Sequence, residues 1–480
     1  MPRAFLGVDC GTQSTKAVLR DEETGAILAV GRAPHQLIER DDGTREQDPT
    51  WWIEALAAAA REATGGKRWA IGAIGVSGQQ HGLVCLDSRD RPVRAAKLWN
   101  DTTTAHECAQ LMQTLGGPGR LLELTGNLIL PGYTAPKIVW LAAHEPDAYA
   151  RTARMCLPHD YVNLWLTGEF VTEPGDASGT AYFDVRARRY SAAVLHAIDD
   201  RRDWERSLPH VARSLSVIGT LRPQAAEALG LEPGIPVSGG GGDNMCAAIG
   251  SDIVGEGPVA VSLGTSGTAF AYRGEPAVDP VGEAAAFCDS TGAWLPLACT
   301  LNCTNVTEWV RGMFAMEHAD VDAAIRTADT DGLAFLPYLA GERTPNRPHG
   351  TGVFVGLRES HGRDAIVRAV VEGVTFGLAY ALDALRRAGV AAREVTLVGG
   401  GSASDAWAQL SADVFGIPVV RPDLVEAAAA GAARQAQWAT TEDRPALARV
   451  RSDVFEPRRR PELEEAAARM SALRGMTAAV

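Results

Sequence analysis

The clearest candidate for a catalytic group in this chain is an aspartate that follows a run of glycines. Gly239 to Gly242 are consecutive, and Asp243 and Asn244 come directly after them, at the predicted start of a helix. Glycine has no Cβ, so such a run lets a ligand approach the backbone closely. A carboxylate held there could accept the proton of an attacking hydroxyl group, which is the base catalysis that phosphoryl transfer needs. The pattern also fits an aspartate that only caps the helix.

Two glycine-threonine turns could bind phosphate. Asp9 ends a predicted strand and Gly11-Thr12 form the turn after it, and Gly264-Thr265 follow another predicted strand in the second half of the chain. Backbone N–H groups in such turns can point at a phosphate, and a carboxylate at a strand end could hold Mg²⁺ through water. The repeated pattern favours two duplicated, facing domains. Each turn alone also fits an ordinary β-hairpin.

Two polar clusters could bind the hydroxyl groups of a sugar. Gln80 and His81 lie between two predicted strands, and both side chains form hydrogen bonds with hydroxyls. Trp99, Asn100 and Asp101 combine an aromatic plate with an amide and a carboxylate. A lone histidine is more often structural, and the second cluster also fits a loop with a helix cap.

A further glycine-rich segment could bind a nucleotide. Gly399, Gly400 and Gly401 follow a predicted buried strand, and Ser404 falls at the start of the next predicted helix. Such an elbow leaves room for a base and its ribose. The spacing is not that of the GxGxxG dinucleotide motif, and the turn at Gly11 lacks the spacing of a Walker A loop.

The predicted elements give these clusters an α/β framework. Two strands flank the first turn, and a helix follows in which Asp48 is a good N-cap and Pro49 suits the first helical position. Strands and helices then alternate to near residue 250, where a second cycle begins. We therefore predict an α/β protein with two domains, residues 1–252 and 253–480.

Composition and charge narrow the class of protein. The 480 residues are 46% hydrophobic and 22% charged, which are ordinary values for a soluble globular protein. A formal net charge of -13 argues against nucleic acid or a membrane surface as partner, because both are polyanions. No uninterrupted apolar run approaches the roughly 18 residues of a membrane span, and no signal-peptide pattern precedes the first strand. We expect a cytoplasmic protein with reduced cysteines and a small-molecule substrate, for which a homodimer is one compatible assembly.

Taken together, the clusters resemble the FGGY family of carbohydrate kinases. The segments that carry the resemblance occur in the order of the family: Gly7 to Thr12, Gln80 to Gly82, Trp99 to Asp101, the glycine run into Asp243-Asn244, Ser262 to Gly267, and Gly399 to Gly401. Residues 125–127, 131–137, 158–161 and 335–345 also match. The resemblance therefore extends over nearly the whole chain.

The resemblance implies two actin-like, ribonuclease-H-like domains with an active-site cleft between them. ATP would bind mainly to the C-terminal domain and the sugar mainly to the N-terminal one. Asp243 would be the catalytic base, and Asp9 would lie beside Mg²⁺ and the ATP phosphates. The remaining positions that the resemblance assigns are Gln80, His81, Trp99, Asn100, Asp101 and Asn244 for the sugar, and Gly11, Thr12, Gly264, Thr265, Gly400, Gly401 and Ser404 for ATP.

The activity that the resemblance implies is ATP-dependent phosphorylation of a small ketose, with D-xylulose as the leading substrate. Another kinase of the family, acting on ribulose, a sugar alcohol, glycerol or gluconate, is the nearer alternative. An actin- or chaperone-like ATPase is the more distant one, since it would share the phosphate turns but not the sugar-facing clusters. His159 departs from the family pattern, which has a lysine before Asp160-Tyr161, and Ala143 and Ala365 replace polar residues.

Overall fold

Two mixed β-sheets, one in each half of the chain, carry most of the predicted site residues. The computed structural model describes residues 3–339, 341–448 and 451–476. Met1, Pro2 and Ala340, which belong to segments discussed above, lie outside the described residues, as do the last four positions of the predicted second domain. The predicted α/β class is confirmed.

The elements of the first half run to residue 250. Its strands are β1 (Arg3–Cys10), β2 (Ser14–Asp21), β3 (Ile27–Pro34), β4 (Ile38–Glu39), β5 (Arg45–Gln47), β6 (Ala70–Gly78), β7 (Val84–Leu86), β8 (Ala96–Lys97), β9 (Arg154–Cys156), β10 (Val171–Thr172), β11 (Phe183–Asp184), β12 (Arg189–Tyr190), β13 (His210–Val211), β14 (Val217–Thr220), β15 (Pro236–Ser238) and β16 (Gly241–Gly242). Its helices are α1 (Pro49–Thr64), α2 (Ala105–Thr114), α3 (Pro118–Thr125), α4 (Thr134–His144), α5 (Pro146–Arg151), α6 (Pro158–Thr167), α7 (Pro174–Ala177), α8 (Ala192–Ile198), α9 (Trp204–Ser207), α10 (Pro223–Leu229) and α11 (Asp243–Gly250), with a 3₁₀ turn at Ser178–Thr180.

The second half repeats the mixture of strands and helices. Its strands are β17 (Pro258–Leu263), β18 (Gly267–Ala271), β19 (Ala285–Cys288), β20 (Trp294–Thr300), β21 (Ala334–Pro337), β22 (Gly352–Val355), β23 (Glu394–Val398), β24 (Val419–Pro422) and β25 (Ser452–Phe455). Its helices are α12 (Thr304–Met313), α13 (His318–Thr327), α14 (Arg363–Arg387), α15 (Asp405–Phe415), α16 (Ala427–Thr441) and α17 (Pro461–Met476), with a 3₁₀ turn at Gly400–Ala403.

The first sheet brings three predicted site segments to one edge. Its order is β14-β15-β6-β1-β2-β3, and β16 also pairs with β6. Strand β1 runs parallel to β6, with Asp9 opposite Ser77, and β16 pairs with the same end of β6, with Gly241 opposite Ser77. The ends of these parallel strands therefore place Asp9, Gln80 and Asp243 close together.

The second sheet repeats this arrangement. Its order is β19-β20-β18-β17-β23-β24-β25. Strand β17 is antiparallel to β18 across the turn at Gly264, just as β1 is antiparallel to β2 across the turn at Gly11. Strand β17 also runs parallel to β23, with Ser262 opposite Val398, so the Gly264 turn and the Gly399 segment lie side by side.

Helix α16 belongs to the second half in sequence but packs on the first sheet. Its alanines share a core cluster with Phe5, Val18 and Ala73. The packing is close because the strands of the sheet carry glycine at the contacts with the helix. A Cβ added to Gly7 would overlap the Ala429 carbonyl oxygen, and one added to Gly75 would overlap the Ala432 carbonyl oxygen.

Helix α14 forms the centre of the core of the second half. In the described part of the chain it is the one helix that is long and apolar enough to cross a membrane, yet 67% of its most apolar window is buried inside the protein. Val367, Val370 and Val374 are fully buried in the largest hydrophobic cluster. This is the position of a core helix in a globular domain. All eight cysteines are buried and unpaired.

Candidate active site

A cavity of about 280 Å³ lies where the two halves of the chain meet. Its lining includes Gln80, His81, Trp99, Asn127, Tyr133, Asp243 and Asn244 from the first half, and Ser262, Ser266, Thr268, Glu283, Phe287, Cys299 and Arg343 from the second. The polar groups of the first half thus face the turn between β17 and β18. A small polar molecule bound here would contact the predicted sugar residues and the second phosphate turn together.

Asp243 is the first residue of α11 and lines this cavity. Its Oδ1 accepts hydrogen bonds from the Asn244 backbone N at 2.8 Å and from Asn244 Nδ2 at 3.0 Å. Burial raises the pKa of Asp243 to about 7, and the negative charge of Asp9 adds to the effect. A carboxylate with a pKa near neutrality is well suited to accept a proton as a general base.

Asp9 is the second carboxylate of the site. Ser77 Oγ donates to Asp9 Oδ1 at 3.0 Å, and Lys16 Nζ lies 3.8 Å from Asp9 Oδ2. Burial raises the pKa of Asp9, although Lys16 and Ser77 oppose the rise. The charge of Asp9 raises the pKa of Asp243, and that of Glu426 raises the pKa of Asp9. A cation would relieve this repulsion, and carboxylate oxygens are the donors that Mg²⁺ prefers. Asp9 and its surroundings therefore fit Mg²⁺.

Gln80 and His81 both line the cavity. Gln80 Oε1 accepts from Asn244 Nδ2 at 3.0 Å, whereas Gln80 Nε2 has no hydrogen-bond partner among the described residues. His81 Nδ1 lies 2.8 Å from the Gly179 carbonyl oxygen, so Nδ1 must carry the proton and Nε2 is left as an acceptor. His81 Nε2 is therefore the acceptor that this pair leaves for a ligand, whereas the Gln80 amide nitrogen is buried near Asp176 and Gly242.

The surroundings of His81 keep its ring neutral and fixed. Burial lowers the pKa of His81 well below its usual value, and the charges of Lys137 and Arg343 lower it further. The ring stacks on Tyr133 with centroids 4.5 Å apart. Lys137 Nζ donates to the His81 carbonyl oxygen at 2.7 Å, which holds the residue at a positive φ of 67°.

The Trp99 to Asp101 cluster divides between the cavity and the interior. Trp99 lines the cavity and its Nε1 donates to Thr12 Oγ1 at 2.9 Å, which connects the sugar side to the first phosphate turn. Asn100 and Asp101 are not part of the cavity lining. Asp101 is fully buried, and its Oδ2 accepts from Lys97 Nζ at 3.0 Å and from the Arg45 backbone N at 2.9 Å. Contact of Asn100 and Asp101 with the sugar therefore stays a prediction, and an internal ion pair occupies the carboxylate of Asp101.

The predicted ATP residues lie around two neighbouring spaces. Gly11 and Thr12 form the β1–β2 turn, in which the Gly11 N donates to the Ser14 carbonyl oxygen at 3.1 Å. A second cavity, of about 630 Å³, is lined by Gly264, Thr265, Thr304, Arg311, His318, Asp322, Gly400, Gly401, Ser404, Trp407 and neighbouring residues. The turn between β17 and β18 borders both cavities, so a nucleotide in the larger one could extend its phosphates toward Asp243.

Two of these residues have different roles in the second cavity. A Cβ added to Gly400 would meet no atom within 4 Å, so Gly400 leaves open space beside the cavity. Ser404 Oγ instead caps α15 by accepting from the Trp407 N at 3.0 Å, and it donates to Asp322 Oδ1 at 2.5 Å. The Ser404 hydroxyl is therefore already used by the protein.

Several lining residues were missed by the motif analysis. Tyr133 and Arg343 lie in segments that matched the family, but no chemistry was assigned to them, because an isolated tyrosine or arginine has many structural uses. Glu283 also lines the cavity, yet its carboxylate is neutralised, since it accepts from Tyr380 Oη at 2.8 Å and Arg387 Nη2 at 2.6 Å. Their common position at one cavity becomes visible only when the two halves are brought together.

A buried ionic cluster supports the glycine run from behind. His159 Nε2 lies 2.6 Å from the Gly239 carbonyl oxygen, and Nδ1 lies 3.2 Å from Asp160 Oδ1 and 3.4 Å from Asp176 Oδ2. Burial alone would lower the pKa of His159, but contact with Asp160 and Asp176 raises it well above its usual value. A charged imidazolium thus stands at the position where the resemblance predicted a lysine.

Comparison with known proteins gives the same assignment over both halves. The N-terminal domain of the FGGY family of carbohydrate kinases matches residues 4–250, and its C-terminal domain matches residues 259–440. A xylulose kinase from Haemophilus influenzae is 40% identical over 448 residues, which is 91% of each chain. One from Streptomyces coelicolor is 40% identical over 449 residues, 92% of this chain and 90% of the relative. The crystal structure of a xyloylose kinase from Brucella ovis superimposes with a TM-score of 0.92 at 35% identity, covering 99% of both chains.

Proposed function

This chain belongs to the FGGY family of carbohydrate kinases, and we propose that it transfers the γ-phosphoryl group of ATP to O5 of D-xylulose, giving D-xylulose 5-phosphate. It is a sugar kinase with two actin-like domains. The observation that carries the proposal is the position of Asp243, in one cavity with Gln80 and His81 on one side and the β17–β18 turn on the other. Its relatives at 31% to 40% identity that bear the name xylulose kinase support the choice of sugar.

Asp243 acts in this proposal as the base that accepts the proton of the attacking hydroxyl. With a pKa raised to about 7, the carboxylate is partly ionised near neutral pH and can take the proton as the new O–P bond forms. Phosphoryl transfer has a loose transition state, so correct positioning contributes more than basicity. The two hydrogen bonds from Asn244 hold the carboxylate for this purpose.

Gln80 and His81 orient the sugar so that O5 faces Asp243. The neutral His81 Nε2 accepts from a sugar hydroxyl, and Gln80 contacts the sugar from the adjoining wall of the cavity. Trp99 covers the sugar and is held by its bond to Thr12. Tyr133 and Phe287 add apolar surface that excludes water, which limits wasteful hydrolysis of ATP.

The phosphates of ATP lie in this proposal between the two glycine-threonine turns. The Thr12 backbone N–H, together with the backbone N–H groups and hydroxyl at Gly264-Thr265, stabilises negative charge on the transferred group, while Gly11 shapes the first turn. Asp9 is the residue that would hold Mg²⁺, which when bound neutralises charge on the phosphates. The nucleoside occupies the larger cavity beside Gly400 and Gly401, while Ser404 shapes it from the cap of α15.

We propose residues 1–252 as the sugar domain and residues 253–480 as the ATP domain, with α16 of the second joined to the sheet of the first. Closure of the two domains on the sugar would bring Asp243 and the γ-phosphate together. A cytoplasmic location fits this role, because the eight buried cysteines are unpaired, as is usual for a reducing compartment.

The test is a coupled ADP-release assay with MgATP and a panel of D-xylulose, D-ribulose, L-ribulose, xylitol, glycerol and gluconate. We expect kcat/KM for D-xylulose to exceed that for every other member at least about tenfold, or roughly 1.4 kcal/mol of transition-state discrimination. A preference for another sugar would support the proposed phosphoryl transfer but show that D-xylulose is not the substrate. ATP turnover that ignores every sugar would refute the kinase assignment.

A further inference from the structure

Arg343 is a cationic group that the second half contributes to the sugar cavity. It lies in the segment after β21 and lines the cavity with His81 and Tyr133 of the first half. Among the residues that the structure describes, its guanidinium forms no ion pair with a carboxylate, although most arginines of this chain do so. An arginine left without an acidic partner beside a cavity is available for a ligand.

The backbone of Arg343 is firmly anchored. The neighbouring Glu342 is buried and accepts hydrogen bonds from the Arg343 N at 2.8 Å, the Leu301 N at 2.6 Å and Asn302 Nδ2 at 3.0 Å. These bonds join the segment to the end of β20. The arginine is therefore presented from a fixed base and not from a free loop.

The guanidinium crosses to the wall of the first half. A Cβ added to Gly132 would lie 3.6 Å from Arg343 Nη2, so the guanidinium lies against the backbone just before α4. It also contacts the Cys299 thiol, and its charge lowers the pKa values of His81 and Tyr133, for which burial is the larger influence in each case. Arg343 therefore acts at the part of the cavity around His81 and Tyr133.

The substrate of the proposed function presents one distinctive group. A ketopentose closes its ring through O5 onto C2, so O5 is free for phosphorylation only in the open-chain form, which keeps a carbonyl at C2. A carbonyl oxygen only accepts hydrogen bonds, and its lone pairs lie in the plane of the C=O group. The planar guanidinium only donates, and its fork can reach both lone pairs.

We infer that Arg343 binds the C2 carbonyl oxygen of the open-chain sugar and thereby selects a ketose over the corresponding alditol. This inference rests on the proposed function. Xylitol carries a hydroxyl at C2, and the proton of that hydroxyl needs an acceptor that Arg343 does not provide. Arg343 therefore stabilises bound xylitol less than bound D-xylulose. Because Arg343 comes from the second half and His81 from the first, the ketose also connects the two domains.

The experiment compares D-xylulose with xylitol in three proteins: the wild type, Arg343→Met and Arg343→Lys. Arg347→Met is the matched control, because Arg347 is in the same segment, is absent from the cavity lining and donates to the Asn346 carbonyl oxygen. The readouts are kcat/KM for each sugar, KM for MgATP, and D-xylulose binding by calorimetry without ATP. An unchanged KM for MgATP shows that a variant is still folded, because the ATP site must be intact to give it.

We expect Arg343→Met to reduce kcat/KM for D-xylulose at least about 30-fold and that for xylitol less than about threefold. Arg343→Lys should restore part of the preference, since it donates without the planar fork. Equal losses for both sugars, or no loss, would overturn the inference. A wild type that phosphorylates another sugar but binds no D-xylulose would refute the proposed substrate and this inference together, whereas selective loss in Arg343→Met supports both.

Discussion

Gly250 at the end of α11 and Gly431 in α16 lie directly against each other. A Cβ added to Gly431 would be 2.7 Å from the Gly250 amide nitrogen and would overlap the Cys246 carbonyl oxygen. Because α11 begins with Asp243, this contact lets a helix from the second half support the position of the proposed base. The two halves are thus joined at the helix that carries the proposed base.

The first prediction concerns this contact. Gly431→Ala should lower the free energy of unfolding by about 1–3 kcal/mol, because the backbone of α11 has no room for a methyl group. Gly377→Ala is the matched control, since Gly377 is also in a helix interior but has open space at its Cβ position. That control should raise stability by up to about 1 kcal/mol. Urea unfolding followed by circular dichroism measures both, and equal effects would contradict the close contact.

The second prediction is the pH dependence of catalysis. Asp243 has a pKa of about 7 in the folded protein, and only its ionised form can accept a proton. We therefore expect kcat/KM to rise with pH up to about 7 and then to level off. Asp243→Asn should reduce kcat at least about 100-fold and leave KM for ATP nearly unchanged. A pH profile that stays flat below pH 7, with the coupling enzymes in excess, would rule out Asp243 as the base.

The same pKa has a consequence for stability. The folded pKa of about 7 is above the ordinary value of 3.8, so ionising Asp243 destabilises the folded state. This destabilisation is absent below about pH 4, grows between these two values and is complete above about pH 7. Asp243→Asn should therefore raise Tm at pH 8 and change it little at pH 4. Thermal unfolding of both proteins at these two pH values measures the difference. A larger increase in Tm at pH 4 than at pH 8 would contradict the raised pKa of Asp243.

The site residues that could be predicted from the sequence are those that belong to short motifs of neighbouring residues. Asp243, Gln80, His81 and Trp99 fall in short motifs, and all four line one cavity. The α/β class and the two phosphate turns follow from strand patterns that are also local. Sequence reasoning could reach these features because the residues that define each one are close neighbours in the chain.

Features that depend on distant contacts could not be predicted in this way. Asp101 resembles a ligand in its motif, but its carboxylate accepts from the backbone N of Arg45, which is 56 residues away in the chain, and is paired with Lys97 in the interior. Helix α16 packs on the first sheet because its alanines fit against the glycines of the strands. Its composition alone does not show which sheet it contacts. Arg343 reaches His81 only after the two halves meet, so its place in the cavity has no signal in the local sequence.

The third prediction concerns the ionic cluster behind the glycine run. His159→Gln should lower the free energy of unfolding by about 3–5 kcal/mol near neutral pH, because it leaves Asp160 and Asp176 buried without a cation. His159→Lys keeps the charge and should be less destabilising. The matched comparison is denaturant unfolding of both variants at the same pH, and equal losses would show that the charge of His159 contributes nothing.

The cluster also predicts a pH effect of known sign. The folded pKa of His159 is raised above its unfolded value of 6.5, so the stability from this residue is complete below about pH 6.5. It is lost as the pH rises through the elevated folded pKa. In His159→Lys the loss should move to higher pH, since lysine ionises with a higher intrinsic pKa. Denaturation curves at a series of alkaline pH values measure the shift, and identical profiles would contradict it.

The last prediction tests the nucleotide cavity. Gly400 lines it, and a Cβ at this position would meet no atom within 4 Å, so a larger side chain can enter the cavity without disturbing the fold. We expect Gly400→Leu to raise KM for ATP at least about tenfold, while sugar binding and Tm stay near those of the wild type. Gly312→Leu is the control, because Gly312 is equally open but lies at the end of α12, outside the cavity lining. The site assignment would fail if Gly400→Leu left KM for ATP unchanged, or if it weakened sugar binding as much as ATP binding.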